Sequence, residues 1–252
     1  MKSVTIRFYE ELNDFIPAGK KKMAFGVNFR GRQTVKDIIE SQGVPHIEID
    51  LVLVNGNPVD FGYLVQDNDR ISVYPVFETF NITSVGKLRN KPLRKTAFIL
   101  DVHLGRLKKY LRLFGFDTLY RNDYDDREIV DISNAEHRII LTRDVGILKR
   151  NEVRLGYWIR NIYPRQQAKE VVRRFDLYDQ VEPFKRCPEC NGLIEQVDRE
   201  SIIDKLQSGT RKYYNEFWRC RDCEKIYWKG SHYNKLNDFI SEVLLTQYDN
   251  HQ

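Results

Sequence analysis

No stretch of this 252-residue chain approaches the roughly 20 consecutive apolar residues that a membrane-spanning helix needs, so no such span is expected. The opening residues, MKSVTIRFYEELNDF, lack an apolar core of signal-peptide length before their charges begin, and the expected location is the cytoplasm. Disorder is also disfavoured, because 41% hydrophobic and 31% charged residues is the balance of an ordinary folded protein. Cysteine is scarce: there are four, Cys187, Cys190, Cys220 and Cys223, all in the last third. In a reducing compartment two Cys-x-x-Cys pairs read as metal ligands and not as disulfides.

The net charge of +5 is unevenly spread. Residues 1–80 and 181–252 are each slightly acidic, whereas residues 81–180 carry 21 Lys and Arg against 13 Asp and Glu. Fourteen of those cations are arginines, whose planar fork suits phosphate, so the middle of the chain has the composition of a surface that meets a polyanion.

In residues 1–80, VTIRFYEEL puts Val4, Ile6 and Phe8 on one face of a strand, and MAFGVNFRG offers a second. Thr34 is a plausible N-cap for a helix with Val35, Ile38 and Ile39 as its apolar stripe and Gly43 at its end. IDLVLVN, a turn at Asn55-Gly56-Asn57-Pro58, and DRISVYPVF complete a ββαββ order. VNGNPVDFGYLVQDNDRISVYPVF resembles the sulfur-carrier branch of the ubiquitin-like β-grasp proteins. Those carriers end in an exposed Gly-Gly tail, whereas here Val76-Phe77-Glu78 runs on into more chain. The resemblance therefore implies a docking module with a protein partner in place of a sulfur carrier. Residues 81–95, with five cations and little apolar periodicity, read as a basic linker.

From residue 96 strands and helices alternate, the pattern of an α/β sheet with mostly parallel strands. TAFILDV is a buried-strand run ending in Asp101, HLGRLKKYLRLFGF a helix, DTLYR a strand, and DDREIVDISNAEH a helix starting at Asp125 or Asp126. RIILTRD is a second apolar strand ending in Asp144, followed by VGILKRNE, GYWIRN and a helix from Pro164. A lone strand-end aspartate is commonly a cap or turn residue. Two of them, with an acidic pair between and a basic segment around, predict a carboxylate cluster at the C-terminal strand edge, where such sheets bind ligands. Crowded carboxylates repel unless a cation neutralises them, and hard oxygen donors suit Mg²⁺ or Mn²⁺. Arg106, Arg112, Arg121, Arg138 and Arg143 are expected to hold a substrate backbone beside it, with Arg106 and Arg112 exposed on the first helix.

The knuckles RCPECNG and RCRDCEK, 29 residues apart, predict a closed tetrahedral Zn–S₄ site, structural because no coordination position stays open. LIEQVDRESI and KYYNEFWRC supply the expected ribbon strands. Tyr213, Tyr214, Trp218, Tyr227 and Trp228 either cover the small ribbon core or stack on unpaired bases. NKLNDFISEVLLTQY reads as an amphipathic helix packed on the body.

DVHLGRLKKYLRLFGFDTLY, an acidic helix start, RIILTRD and a Cys-pair ribbon ending in YWKGSH together resemble the PIN-like RNase family named after the C-terminal region of the Mut-seven exonuclease. The motifs cover roughly residues 97–235, and a β-grasp segment is a known N-terminal companion. The resemblance implies a β-grasp domain (1–80), the linker (81–95), a PIN-like α/β nuclease domain (96–182), and a Cys₄ zinc ribbon with a C-terminal helix (183–252). By position Asp101, Asp126 and Asp144 match the metal-binding carboxylates of the PIN site. The adjacent Asp125 could replace Asp126, and Asp123, Glu128 and Asp131 are candidates for a fourth acid. Asp117 suits a structural role better. Trp228, Lys229, Ser231 and His232 match the ribbon motif and are candidates for substrate contact or for docking the ribbon. The expected activity is hydrolysis of RNA phosphodiesters, as an endonuclease with Mg²⁺ or Mn²⁺, on transfer or ribosomal RNA. A non-catalytic nucleic-acid-binding adaptor with a structural ribbon is the alternative.

Overall fold

Alternation of apolar and polar residues makes the first strand, β1 (Lys2–Phe8), which buries Val4, Ile6 and Phe8 and turns their neighbours outward. A 3-10 turn at Glu10–Phe15 follows, then β2 (Phe25–Phe29), α1 (Val35–Ser41), β3 (Ile49–Val54), β4 (Asn57–Val59) and β5 (Arg70–Pro75). The structure, a computed structural model, describes residues 1–75 and 96–249, so the expected linker at 81–95 lies outside the described residues. These strands form one sheet in the order β2-β1-β5-β3-β4. The β1–β5 pair is parallel and the other pairs are antiparallel.

Thr34 caps α1 as expected, in a reciprocal box with Asp37. The expected ββαββ order gains a strand. Asn55 and Gly56 have φ of 51° and 84°, the two positive values a tight hairpin turn requires, so Asn57 and Pro58 open β4 instead of extending the turn. Buried side chains from β1, α1, β3 and β5, among them Phe8, Ile38, Ile39, Val52 and Val73, make one core.

The chain divides into two compact units. The first joins the described residues of Met1–Lys95 with Ser133–His137 and Asp144–Trp158. Inside it, Glu48, which is buried, accepts the Trp158 N–H at 2.8 Å, and the Phe15 and Trp158 rings lie 4.9 Å apart. Lys36 donates to Asn151 at 2.9 Å.

The second unit holds Thr96–Ile132, Arg138–Arg143 and Ile159–Gln252. In chain order the elements from 96 are β6 (Ala97–Leu100), α2 (Leu107–Leu113), β7 (Asp117–Leu119), α3 (Asp126–Glu136), β8 (Ile139–Thr142), α4 (Val145–Leu148), β9 (Gly156–Trp158) and α5 (Pro164–Arg174). Strand β6 lies between β7 and β8, parallel to both. Phe98, Ile99 and Leu100, like Ile139, Ile140 and Leu141, are buried without alternation, as strands covered on both faces must be. The expected helix after β6 begins only at Leu107, because Val102–Leu104 winds as a 3-10 turn capped by Asp101.

The ribbon consists of β10 (Ile194–Val197), α6 (Ser208–Tyr213), β11 (Phe217–Cys220) and β12 (Ile226–Trp228), with the strands antiparallel in that order. The strand expected from Lys212 starts at Phe217 instead, since Lys212 and Tyr213 close α6. The last helix, α7 (Ser231–Asp249), packs back as anticipated. Its buried Phe239 meets Tyr110 and Phe114 of α2 and its flank at ring distances of 5.3 and 5.8 Å. Among the described residues no helix is long and apolar enough to cross a membrane.

Candidate zinc centre and strand-edge carboxylates

Two equivalent turns carry the cysteines. In the first, Cys187 N–H donates to Gly192 O and Asn191 N–H to Cys187 O. In the second, Cys220 N–H donates to Lys225 O and Glu224 N–H to Cys220 O. Asn191 and Glu224 take φ of 76° and 57° to close them. Each turn aims a backbone N–H at a sulfur, from Gly192 to Cys190 and from Asp222 to Cys220, both at 3.4 Å. The four Sγ atoms lie within 4.8 Å of one another, with Cys187–Cys223 at 3.6 Å and Cys190–Cys220 at 3.3 Å. Tetrahedral zinc with Zn–S near 2.3 Å separates its sulfurs by about 3.8 Å, so the quartet fits the ion.

Burial pushes the Cys190 thiol up to about 12, helped by its cysteine neighbours. Burial also acts on Cys187, but the Tyr227 hydroxyl and the backbone N–H groups of Cys190 and Glu189 outweigh it and bring that thiol down to about 7. A divalent cation among the sulfurs would hold all four as thiolates.

Asp101 ends the central strand of the parallel sheet and is 3% exposed. Its Oδ1 accepts the His103 N–H at 2.7 Å, and its Oδ2 accepts the Thr142 hydroxyl and the Arg143 N–H at 2.9 Å. The β6–β8 register, Leu100 opposite Leu141, sets Asp101 beside Thr142. Asp126 is exposed in the first turn of α3. Asp125 caps that helix reciprocally, accepting from Glu128 N–H while Glu128 accepts from Asp125 N–H. Asp144, in the other compact unit, is exposed and caps α4 by accepting the Gly146 N–H at 2.7 Å. Among the described residues the four cysteines are the only group of three or more His, Cys, Asp or Glu ligands gathered closely enough for one ion.

The expected ring of arginines sorts into two kinds. Arg106 is exposed as anticipated, and Arg121 is exposed but paired with Asp123 at 2.9 Å. Arg112, expected on the surface, is buried at 3% exposure. Its guanidinium donates to Thr118 O, Pro188 O and Glu189 O, so it fastens α2 and β7 to the first cysteine knuckle. Arg138 is buried as well, donating to Asp117 at 2.8 Å and to Phe98 O. Arg143 spends one nitrogen on the carbonyls of Ile159, Arg160 and Asn161.

Asp117 joins Arg138, Arg186 (3.2 Å) and Asn191 (2.9 Å), a structural hub between the sheet and the same knuckle. Although burial alone would raise its pKa, the Arg138 and Asn191 hydrogen bonds and the nearby guanidinium charges bring it below the ordinary value. Gly115 (φ 94°) sits where a Cβ would come within 2.3 Å of Glu182 O, so the turn after α2 requires glycine.

Trp228 is 40% exposed, and Ser231 and His232 are exposed in the first turn of α7. The sequence reading passed over Lys109, Tyr163 and Arg165, which with Arg106 line a concavity of about 710 Å³ beside α2 and α5. Tyr163 does have a signal: it is an aromatic N-cap just ahead of Pro164, left 66% exposed.

No curated protein matches this chain. Two solved structures from Haloferax volcanii, of small archaeal modifier protein 1 and of SAMP1, are each 19% identical with a TM-score of 0.25. They cover 30% and 31% of this chain and 98% and 99% of their own. Residues 1–81 match the family described as Mut7-C ubiquitin, and residues 96–240 match the one described as Mut7-C RNAse domain. The second match spans more than half of the sequence, and the chain belongs to the Mut7-C RNAse domain family.

Proposed function

We propose that the protein is a metal-dependent ribonuclease that cuts RNA internally. The supporting observation is the match over residues 96–240, together with a buried aspartate, Asp101, held by three hydrogen bonds at the end of the central parallel strand. Asp101, Asp126 and Asp144, with Asp125 as the neighbour able to replace Asp126, would hold Mg²⁺ or Mn²⁺. Their donor chemistry suits a hard cation. Such a cation supplies charge stabilisation and an activated water. The chain's own part is orientation. Thr142 and the Arg143 and His103 amides fix the Asp101 carboxylate, while the exposed Arg106 is free to face a phosphate. Arg112 and Arg143 serve the frame, and Trp228, Ser231 and His232 remain available to substrate. Transfer or ribosomal RNA is the proposed substrate, and the β-grasp region is a docking module for a protein partner.

Both oxygens of Asp101 already accept hydrogen bonds, which favours a second reading, an RNA-binding adaptor without catalysis. One experiment separates the two. Purified protein is incubated with total cellular RNA with and without Mn²⁺, and the ends are mapped. Internal cuts that need Mn²⁺ and vanish in Asp101→Asn support the ribonuclease. Full activity in that variant, or none in the wild type, removes it.

A further inference from the structure

The second compact unit carries two concavities that share the wall Leu113, Pro188 and Leu236. The larger, about 710 Å³, has Arg106, Lys109 and Arg165 around Tyr110 and Tyr163. The smaller, about 480 Å³, is aromatic, with Trp218, Tyr227, Trp228, Phe184 and Tyr233 in its lining and Lys229 and Arg186 at its polar positions. Neither lining contains an acidic side chain.

The aromatic residues here are not the ribbon's core. That core is Ile202, Leu206 and Phe217, with Val197, Tyr214 and Ile226 packed against it. By strand register Gln196, Trp218 and Tyr227 stand opposite one another across β10, β11 and β12, on the face away from Phe217. That face lines the smaller concavity, whereas Trp228 pairs with Phe217 in the register and lies beside Tyr214 at the concavity's edge. Phe184 and Tyr233 stack with their rings 4.7 Å apart and inclined by 26°, and the Lys229 ammonium lies 5.1 Å from the Trp218 ring. Lys109, Lys229 and Arg186 have carboxylate partners in Glu189, Glu216 and Asp117, while Arg106 is exposed. Rigid aromatic surfaces beside such cations suit an unpaired nucleic-acid strand, since bases stack on rings and phosphates follow the cations. A duplex offers neither free base faces nor the flexibility to enter.

We propose that these joined concavities bind single-stranded nucleic acid, with an unpaired base seated in the ribbon's aromatic concavity and the backbone passing Lys109 and Arg106 toward Asp101. Arg106 lies only five residues after Asp101, so the strand would be led to the end of β6. The proposal deepens the ribonuclease reading by naming its substrate as unpaired strand, yet binding itself requires no cleavage.

The test uses the full-length, zinc-loaded protein without added Mg²⁺ or Mn²⁺ and fluorescein-labelled oligonucleotides. These are an unstructured RNA 12-mer, the DNA of the same sequence, the same RNA annealed into a blunt duplex, and the RNA 12-mer with its bases removed at three adjacent positions. The single strands are expected to bind, the duplex and the abasic strand at least tenfold more weakly. Trp218→Ala should weaken the intact strand by roughly 5- to 150-fold, the span of one lost stacking contact. Since Trp218 lies on the face away from the ribbon's core, zinc content should stay near wild type. Lys109→Ala, away from the ribbon strands, is the second variant and should also weaken binding. Equal affinity for duplex and single strand, for abasic and intact strands, or for wild type and both variants overturns the proposal. Tight binding of single strands without any Mn²⁺-dependent cutting removes the ribonuclease reading and leaves this one standing. Cutting with no preference for unpaired strand does the reverse.

Discussion

The β-grasp region and the zinc ribbon are both small antiparallel-rich sheets, and they are held by different forces. The first buries side chains from strands and helix alike, including Phe8, Ile38, Ile39, Val52 and Val73. The ribbon's own cluster has three buried members, Ile202, Leu206 and Phe217. Ordering costs roughly 1.5 kcal/mol per residue, so so few apolar groups leave the ribbon dependent on other bonds. Those are the clustered cysteines and the polar ties of Arg112, Asp117, Arg186 and Asn191. In one region stability comes from area removed from water, and in the other from a few polar contacts and whatever the cysteine quartet binds. Single polar changes should therefore matter most in the second.

The largest expected effect follows from removing zinc. Structural zinc supplies about 10–16 kcal/mol of apparent binding energy in small Cys-rich units, most of it folding energy. One zinc per chain is expected, and Cys187→Ser or a strong chelator should abolish amide-exchange protection across Cys187–Trp228 while β1 to β5 stay protected. Protection of the ribbon in metal-free protein would show that its fold does not rest on the ion. Next comes Phe8→Ala, which should cost the β-grasp core about 3–5 kcal/mol and leave zinc stoichiometry unchanged. A ribbon that lost its zinc in that variant would show the two regions to be one cooperative body.

Asp117→Asn is a smaller perturbation, about 1–3 kcal/mol for hydrogen bonds to a charged group. Its pH dependence has a defined sign. The folded carboxyl titrates below its unfolded value, so its stabilisation is complete above about pH 4 and fades as pH falls through the folded value. Wild type should melt higher than Asp117→Asn at neutral pH, with the two converging in acid. Curves that stay parallel from pH 7 to 2.5 would remove the hub from the account.

Local chemistry was readable from the sequence where the partners lie close by. Thr34 with Asp37, the alternation of Val4, Ile6 and Phe8, and the paired Cys-x-x-Cys turns each carry their structural reason within a few residues. Long-range partners were not. Arg112 reads as a surface cation on an amphipathic helix, but the carbonyls it meets belong to Pro188 and Glu189, 76 and 77 residues on. Glu48 and Trp158 are 110 residues apart, so nothing local tells that Asp144–Trp158 packs with the β-grasp residues. The strand-end position of Asp101 was legible from an apolar run ending in aspartate. Its capping of a 3-10 turn was not, because Leu104 fits helical spacing equally well.

The smallest effect on stability is expected at Arg106, and there the comparison reaches function. Arg106, just ahead of α2, and Arg112, in its last turn, have the same charge, yet one is exposed and the other buried. Arg106→Ala should change stability by no more than about 0.5 kcal/mol, as surface substitutions do. If its guanidinium meets a phosphate, the salt dependence of single-strand binding should flatten, since each lost contact removes about 0.7 from the log–log slope. Arg112→Ala should behave in the opposite way. It should lower the melting temperature by freeing Thr118, Pro188 and Glu189 carbonyls, while at a temperature where it stays folded its salt slope matches wild type. Titrating a labelled RNA across a salt series with both variants reads the two numbers together. An unchanged slope for Arg106→Ala would take that residue out of the nucleic-acid path. A flattened slope for Arg112→Ala alone would mean that the buried guanidinium shapes the binding surface through the first knuckle.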